Sequence, residues 1–453
     1  MTDNKIREIR IIRDSGVILN TKGAMWSGGS DMSSWRNITV GNLGEVITGY
    51  TPPTKNAEYF GDVYPFITPT DMTIDSRTVQ TERFLSQKGY EYNKNRLLPQ
   101  DAVCVTCIGA TIGKTCMTTV PSVTNQQINS IAVDQDKYDP YFVYYLLITK
   151  TDILHSVANS ATTPIVNKST FASINICVPP LPTQTQIANF LDRKTKQIDE
   201  LIRIKERRIE LLQEQRTALI NQAVTKGLDP NVEMKPSGVE WIGEIPAHWG
   251  VKRLKHIAKI LPSNVDKHIY PDEIQVRLCN YTDVYYNDYI TVDTVLNKGS
   301  CKENEFAKFA LRKGDVIITK DSETPDDIGV PTYVKDDLDN VVCGYHLTMI
   351  RPIACRGEFI FRFIQSDRTR RYFEVNSNGI TRYGLGKASI ENLLLPIPPD
   401  SEQTQIANFL DQKTQQIDEL IAAEQRKIEL LKEYRQALIS EAVTGKIDVR
   451  NDV

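Results

Sequence analysis

The chain of 453 residues has no apolar run of about 18 residues or more, the length a helix needs to cross a bilayer, so no membrane span is expected. Its first residues are charged and lack an apolar leader core, which points to the cytoplasm. An excess of either charge is also missing: 54 Lys and Arg face 57 Asp and Glu, a net −3. Nucleic-acid binders usually draw on a basic surface. Here residues 36–178 carry 11 basic and 12 acidic side chains, and residues 250–397 carry 21 and 20. Any footprint on DNA must therefore come from local clustering. The 8 cysteines are scattered and are expected to be reduced thiols.

Motifs for chemistry are scarce too. Residues 109–115 read GATIGKT, but a phosphate-binding loop needs four residues between its glycines and has three here, with Ile108 in place of the first glycine. The segment reads better as a Gly-rich turn that brings backbone and Lys114 close to a DNA phosphate. Cys104 and Cys107 form a CxxC, yet no second pair or histidine follows at metal spacing. In an extended AVCVTCIGA the two face opposite sides and are expected to be buried thiols. Pro325 and Asp326 with Lys335 suggest a nuclease centre only until Tyr333 is found where its second acid should stand. No Asn-Pro-Pro-aromatic methyltransferase motif occurs, and His155 and His346 have no Ser or Asp arrangement that would build a nucleophile. Such histidines are more often surface or core fillers.

What the chain does have is a repeat. QIANFLD occurs at residues 186–192 and again at 405–411, an offset of 219. At that offset residues 179–229 match 398–448 without a gap, and about two thirds of the pairs are identical. The match continues faintly upstream through Lys168 and Lys387, Thr162 and Thr381, Phe142 and Phe361, and Ile131 and Ile350. Nearer the start the offset falls to 214, pairing Asp101 with Asp315 and Trp35 with Trp249, which implies a five-residue insertion near residues 320–331. Two segments are thus nearly identical while the two preceding them share a skeleton and few residues. A protein that reads two different things from one symmetric frame has this pattern.

The identical segments read as long helices. Thr183 followed by Gln186 suggests a capping box, no Pro or Gly follows before Gly227, and the second copy stops at Gly445. About 43 residues give roughly 64 Å. Apolar positions recur in sevens: Ile198, Leu212 and Leu219 in one row, Ile202, Ile209 and Ala223 in the next, matched by Ile417, Leu431, Leu438, Ile421, Ile428 and Ala442. This is a coiled-coil seam; two separate amphipathic helices are the alternative. Lys205 and Glu424 hold equivalent seam positions, as do Arg216 and Arg435. An antiparallel pairing is expected to bring Lys205 near Glu424. Two such helices would carry the variable segments to opposite ends, presenting two readers to one face of a duplex whose turn is about 34–36 Å.

The phrases PPLPTQTQIANFLDRKTKQIDELI and PPDSEQTQIANFLDQKTQQIDELI, with ALINQAVTKG and ALISEAVTGK, resemble the conserved regions of type I restriction-modification specificity subunits. SGVEWIGEIPAHWGVKRL is similar to that family's lead-in to a second target-recognition domain. GYTPPT, GATIGKT and TNQQINSIAV resemble one kind of such domain, and TKDSETPDDIGVPTYV and VVCGYHLTMIRP another. The resemblance implies an α/β (α+β) fold with two target-recognition domains separated by a long antiparallel two-helix coiled coil and an internal pseudo-two-fold. The expected division is an extension at 1–34 lacking a WIGEIP counterpart, a first recognition domain at 35–180, and a first long helix at 181–229. A linker at 230–249, a second recognition domain at 250–399, a second helix at 400–448 and a tail at 449–453 complete it. The resemblance further implies sequence-specific binding of double-stranded DNA at a bipartite, asymmetric site by a non-catalytic subunit. Its partners would be two methyltransferase subunits using S-adenosylmethionine and motor-nuclease (restriction) subunits using ATP and Mg, with no cofactor or metal in this chain. The alternatives are the specificity part of a related system that cuts on both sides of its site, and a coiled-coil adaptor that binds no DNA.

Candidate DNA contacts follow from residue chemistry. Asn125, Gln126 and Gln127 carry amides able to bond adenine at two points or equally to cap a turn; their repeat partners are Gly344, Tyr345 and His346. One helix is expected over residues 358–375, ending in Arg368, Arg370 and Arg371, followed by a loop with Thr381, Arg382 and Lys387, the densest basic cluster in the chain. It is read as phosphate contact plus one guanine-reading arginine, against a solvated helix end favoured by the dipole. Thr162, Lys168 and Lys320 complete the set.

Overall fold

The structure is a computed structural model, which describes residues 34–73, 76–159 and 163–449. Its chain divides into two compact units, one formed by residues up to Lys205 together with those from Arg426, the other by Glu206–Gln425.

In the first unit a four-stranded sheet runs in the order Gly44–Thr48, Ile128–Val133, Val103–Thr106, Thr115–Met117. Val103–Thr106 is buried throughout, as expected of a short apolar run in a sheet covered on both faces. A second four-stranded sheet joins Phe60–Gly61, Phe84–Leu85, Tyr64–Ile67 and Val123–Thr124. Arg36–Thr39 pairs with Asn175–Val178. Helix Pro140–Ile148 starts on Asp139, whose carboxylate accepts from the amides of Tyr141 and Phe142, with Pro140 in the first turn where no donor is needed. Cys104 and Cys107 are both buried and belong to different apolar clusters, so they do face opposite ways.

The second unit repeats this plan. Its main sheet runs Ala258–Pro262, Leu347–Pro352, Val316–Thr319, Pro331–Val334, Tyr289–Ile290, and Gly250–Arg253 pairs with Leu394–Ile397. A further sheet joins Asn297–Cys301, Ile274–Cys279 and Val341–Cys343.

Strand register refines the sequence alignment. Val103 lies opposite Ile131, and Val316 opposite Ile350, so Asp101 corresponds to Gly314 rather than to Asp315. Both occupy the same left-handed turn, with φ of 61° and 95°; Gly takes it freely and Asp tolerates it. The insertion is also divided. The loop between the central strands is 107–114 in one unit and 320–330 in the other, and a second lengthening falls between Val334 and Leu347.

The long helices span Leu181–Lys226 and Asp400–Val443, 46 and 44 residues. The first begins two residues before Thr183, which is therefore inside the helix and not its cap. Pro182 is accommodated in the first turn, where its missing N–H costs nothing, and the Pro180 carbonyl accepts from Thr183 and Gln184. Gly227 and Gly445 end the helices at φ of 74° and 71°. Residues 358–375 are two helices, Gly357–Ile364 and Asp367–Asn376, because Ser366 accepts from the Thr369 amide and restarts the chain.

In the first unit Ile187, Leu191 and Ile198 share a core with Leu431, Leu438, Ile439 and Ala442, and Arg435 Nε donates to Asp199 at 2.9 Å. In the second unit Arg208 pairs with Glu424 at 3.1 Å and Arg216 with Asp418 at 3.1 Å. Rising numbers on one helix meet falling numbers on the other, so the pair is antiparallel. Asp199–Arg435 and Asp418–Arg216 are the same ion pair in repeat terms, with the helices exchanging roles. Of the expected seam, Ile198, Ile417, Ile428, Leu431 and Leu438 are buried, and Ile202, Lys205, Ile209, Leu212, Leu219 and Ile421 are half-buried. Glu424 is 2% exposed.

Burial holds the Asp418 carboxyl above its ordinary value, with Arg216 opposing the shift. A raised acid binds its proton more tightly in the folded state, so its charge costs stability at neutral pH and the cost is relieved as pH falls through the raised pKa. Asp418→Asn is accordingly expected to change stability at pH 7 by less than about 1 kcal/mol. Wild type should gain on the variant in urea melts as pH drops from 6 toward 4; an advantage that shrinks instead would show that the Arg216 pair dominates.

Each helix anchors the domain of its own unit with three matched residues. Gln184 and Gln403 donate through Nε2 to the carbonyls of Pro179 and Pro398 (2.8 and 2.9 Å) and accept through Oε1 from the amides of Asp139 and Arg356 (3.0 and 2.8 Å). Asp192 accepts from Arg77 and Tyr145, and Asp411 from Arg362 and Tyr289. Thr195 and Thr414 lie against Tyr145 and Arg362.

Candidate nucleic-acid interface

Three loops meet at one corner of each unit, and the same backbone hydrogen bonds tie them. In the first unit the Cys107 amide donates to the Gln127 carbonyl and its carbonyl accepts from Val166, both at 2.8 Å. In the second the Lys320 amide donates to the His346 carbonyl at 3.0 Å and its carbonyl accepts from Leu385 at 2.8 Å. The outer rungs match as well. Ile108 bridges Ile165, which bridges Asn159; Asp321 pairs with Gly384, which pairs with Asn378. The frame is one; the side chains on it differ.

On the first junction the amide trio divides its work. Asn125 is buried, accepts from the Gln127 amide at 3.1 Å and donates through Nδ2 to Gln127 Oε1 at 3.0 Å. Gln126 is exposed and accepts from Thr51 Oγ1 at 2.6 Å. Lys114 does not project freely: its Nζ donates to the carbonyl of Met72 at 2.9 Å and lies 3.4 Å from that of Pro69. Burial pushes the Cys107 thiol up to about 11, so it stays protonated. Thr162 lies outside the described residues. Lys168 is exposed in the first turn of the short helix Lys168–Ala172.

The second junction is charged. His346, at φ 65°, is not a solitary histidine: its Nδ1 is bonded to Asp321, and Arg382 Nη2 approaches the same nitrogen at 3.4 Å. Lys320 Nζ donates to the Ser263 carbonyl at 3.2 Å. Thr381 and Arg382 are exposed between the strands Ser377–Asn378 and Tyr383–Leu385. Tyr281 faces this group; burial raises its pKa, with Asp327 and Asp321 adding to the shift and Ser322 and Arg382 opposing it. Tyr285 donates to Asp327 at 2.7 Å, which pushes its pKa up to about 12.

The expected basic cluster is not one cluster. Arg368 donates to the Trp241 carbonyl and with Arg371 and Tyr372 lines a cleft of about 710 Å³ beside Asn221. Arg370 is turned to Asp367 at 3.0 Å. Lys387, exposed, pairs with Glu391 at 3.3 Å. Arg368, Arg370 and Arg371 lie on the helix Asp367–Asn376, and Arg382 lies beyond it, after the strand Ser377–Asn378. Asp321 was missed from sequence, although its place in the lengthened loop, opposite the polar 377–385 segment, was a usable signal. Among the described residues no group of His, Cys, Asp and Glu could hold a metal ion, and no helix is long and apolar enough to cross a membrane.

Known proteins agree with this architecture. The chain is 39% identical over 148 residues to the type I restriction enzyme HindI specificity subunit of Haemophilus influenzae, a match covering 32% of each chain. It is 25% identical over 426 residues to the MjaIX specificity subunit of Methanocaldococcus jannaschii, covering 92% of this chain and 94% of that one. In fold it is similar to a chain from a study of complex assembly and conformational transition of the type I R-M system, with a TM-score of 0.68, 15% identity, and coverage of 93% and 98%. The HsdS subunit from Thermoanaerobacter tengcongensis follows at a TM-score of 0.50 and 16% identity, with coverage of 93% and 99%. The model of the type I restriction modification DNA specificity domain matches residues 32–213 and again 246–430, one copy over each half of the repeat. With two such domains over most of its length, the chain belongs to the family of type I restriction-modification specificity subunits.

Proposed function

We propose that this chain reads a bipartite, asymmetric site on double-stranded DNA, one half with each three-loop junction. One observation carries the reading: the two junctions share their backbone bonds residue for residue while the side chains they display are unlike. A frame kept constant under changed side chains is what two readers of different sequences require. In this reading the long helices set the spacer, the exposed Lys168 contributes a phosphate contact, and the chain holds two methyltransferase subunits and the motor-nuclease subunits. Those partners use S-adenosylmethionine, ATP and Mg, and the methyltransferases must extrude the target adenine.

Single-molecule methylation sequencing of DNA modified by the assembled enzyme is the test. The expected result is a split motif with one methylated adenine on each strand. A continuous palindromic motif, or no change in the motif when residues 35–180 are exchanged for another such domain, would overturn the proposal.

A further inference from the structure

The second junction carries a charged trio that the first lacks, and we infer that it reads a guanine: Arg382 makes the base contact and Asp321, through His346, positions it. This deepens the DNA-reading proposal and rests on it. Arginine bonds guanine at O6 and N7 with two parallel donors, and this needs a guanidinium that is both exposed and aimed. Five other arginines of the unit are committed elsewhere. Arg351 makes a two-pronged pair with Asp315, Arg356 with Asp400, and Arg362 is buried on Asp411. Arg368 is held by the Trp241 carbonyl and Arg370 by Asp367. Arg382 is exposed, and beyond its charge acting on Tyr281 its contact is the 3.4 Å approach to His346 Nδ1, a nitrogen already bonded to Asp321 and so a weak partner that a base can replace.

Asp321 gives that approach its direction. It is fixed at the backbone by pairing with Gly384, and its carboxylate holds the His346 ring, which is packed against Tyr345 with ring centroids 3.8 Å apart. The ring and the carboxylate therefore stand as a rigid stop beside Arg382, whose segment returns past Asp321 on the neighbouring strand. The first unit places Ile108, Gln127 and Thr163 at the matching positions, none of them charged. That unit serves as an internal control, because the same frame without the trio should not depend on a guanine there.

The test compares wild type, Arg382→Ala, Asp321→Asn and Asp321→Glu in the assembled methyltransferase, read by methylation sequencing. Arg382→Ala should make one G·C position of one half-site degenerate, with preference falling about ten-fold or more, and leave the other half unchanged. Asp321→Asn should loosen the same position less, and Asp321→Glu should recover part of it. If a variant gives no methylation, wild-type enzyme on duplexes carrying 7-deazaguanine at each guanine in turn supplies the answer. One substitution, in one half-site only, should weaken wild-type binding about ten-fold and leave the binding of Arg382→Ala unchanged. No sensitive guanine, or equal loosening of both halves, would overturn the assignment to Arg382. A wild-type enzyme with no split motif would instead overturn the DNA-reading proposal itself.

Discussion

Asp411→Ala is expected to destabilise the second unit by about 3–5 kcal/mol, whereas the repeat-equivalent Asp192→Ala in the first unit is expected to cost about 1 kcal/mol. Asp411 accepts from Arg362 through Nε at 3.2 Å and Nη2 at 2.6 Å, and from the Tyr289 hydroxyl at 3.1 Å. The Arg362 side chain is 1% exposed. Without the carboxylate, its buried charge keeps only neutral hydrogen-bond partners, Gln365, Thr414 and Tyr289. Arg77, the cation on Asp192, is 32% exposed and lies over the Tyr141 ring at 4.6 Å. It can turn to solvent, and Tyr145 keeps Thr195 as a partner at 3.1 Å. Urea denaturation of the two variants checks the contrast; equal losses would show that the anchor acts through the helix rather than through the buried cation.

Trp249→Ala should cost about 3–5 kcal/mol and lower the Tm by roughly 10 °C. The indole is 1% exposed within the second core, its Nε1 donates to Glu402 Oε2 at 2.9 Å, and His248 holds the other oxygen at 2.7 Å. A Cβ at Gly227 would lie 3.3 Å from the ring, so the helix end packs directly on the indole and loses that contact in the variant. Trp35, its repeat partner, is only half-buried, and its replacement by Ala should cost about 1–2 kcal/mol. Calorimetry of both variants decides this. A loss at Trp35 as large as at Trp249 would mean that exposure is a poor guide to the two roles.

Much of the plan was legible because it rests on local patterns. A proline-free stretch with apolar residues in sevens is helical whatever surrounds it, and a repeat this close, matched without a gap over the long helices, folds twice. The strands around residues 131 and 350 are aligned by the offset of 219 that QIANFLD establishes. Misreadings arose where a single side chain overrules a pattern. Ser366 restarts a helix that apolar spacing carries straight through, and Pro182 starts one earlier than Thr183 suggests. Gly314 takes the turn that identity alone would have matched to its neighbour Asp315.

The candidate site was legible in part. His346, Thr381 and Arg382 stood out by residue type, and the structure brings them to one junction. Lys114 and Arg370 stood out in the same way, yet their charges are taken by backbone carbonyls and by Asp367. Net charge is a sum over the chain, but contact with a phosphate or a base depends on which cations lack an internal partner, and sequence does not list those partners.

Sequence by itself determined that this protein is built twice from one plan, with long helices of matched heptads and two unlike domains, since periodicity and repetition are properties of neighbouring residues. Only the tertiary structure decided that Asp321 joins His346 and Arg382, that Asp411 faces a buried cation where Asp192 faces a solvated one, and that Asp199 and Arg435 meet. These are encounters between residues from 25 to 236 positions apart, and they arise when strands and helices pack, a step that no local propensity encodes.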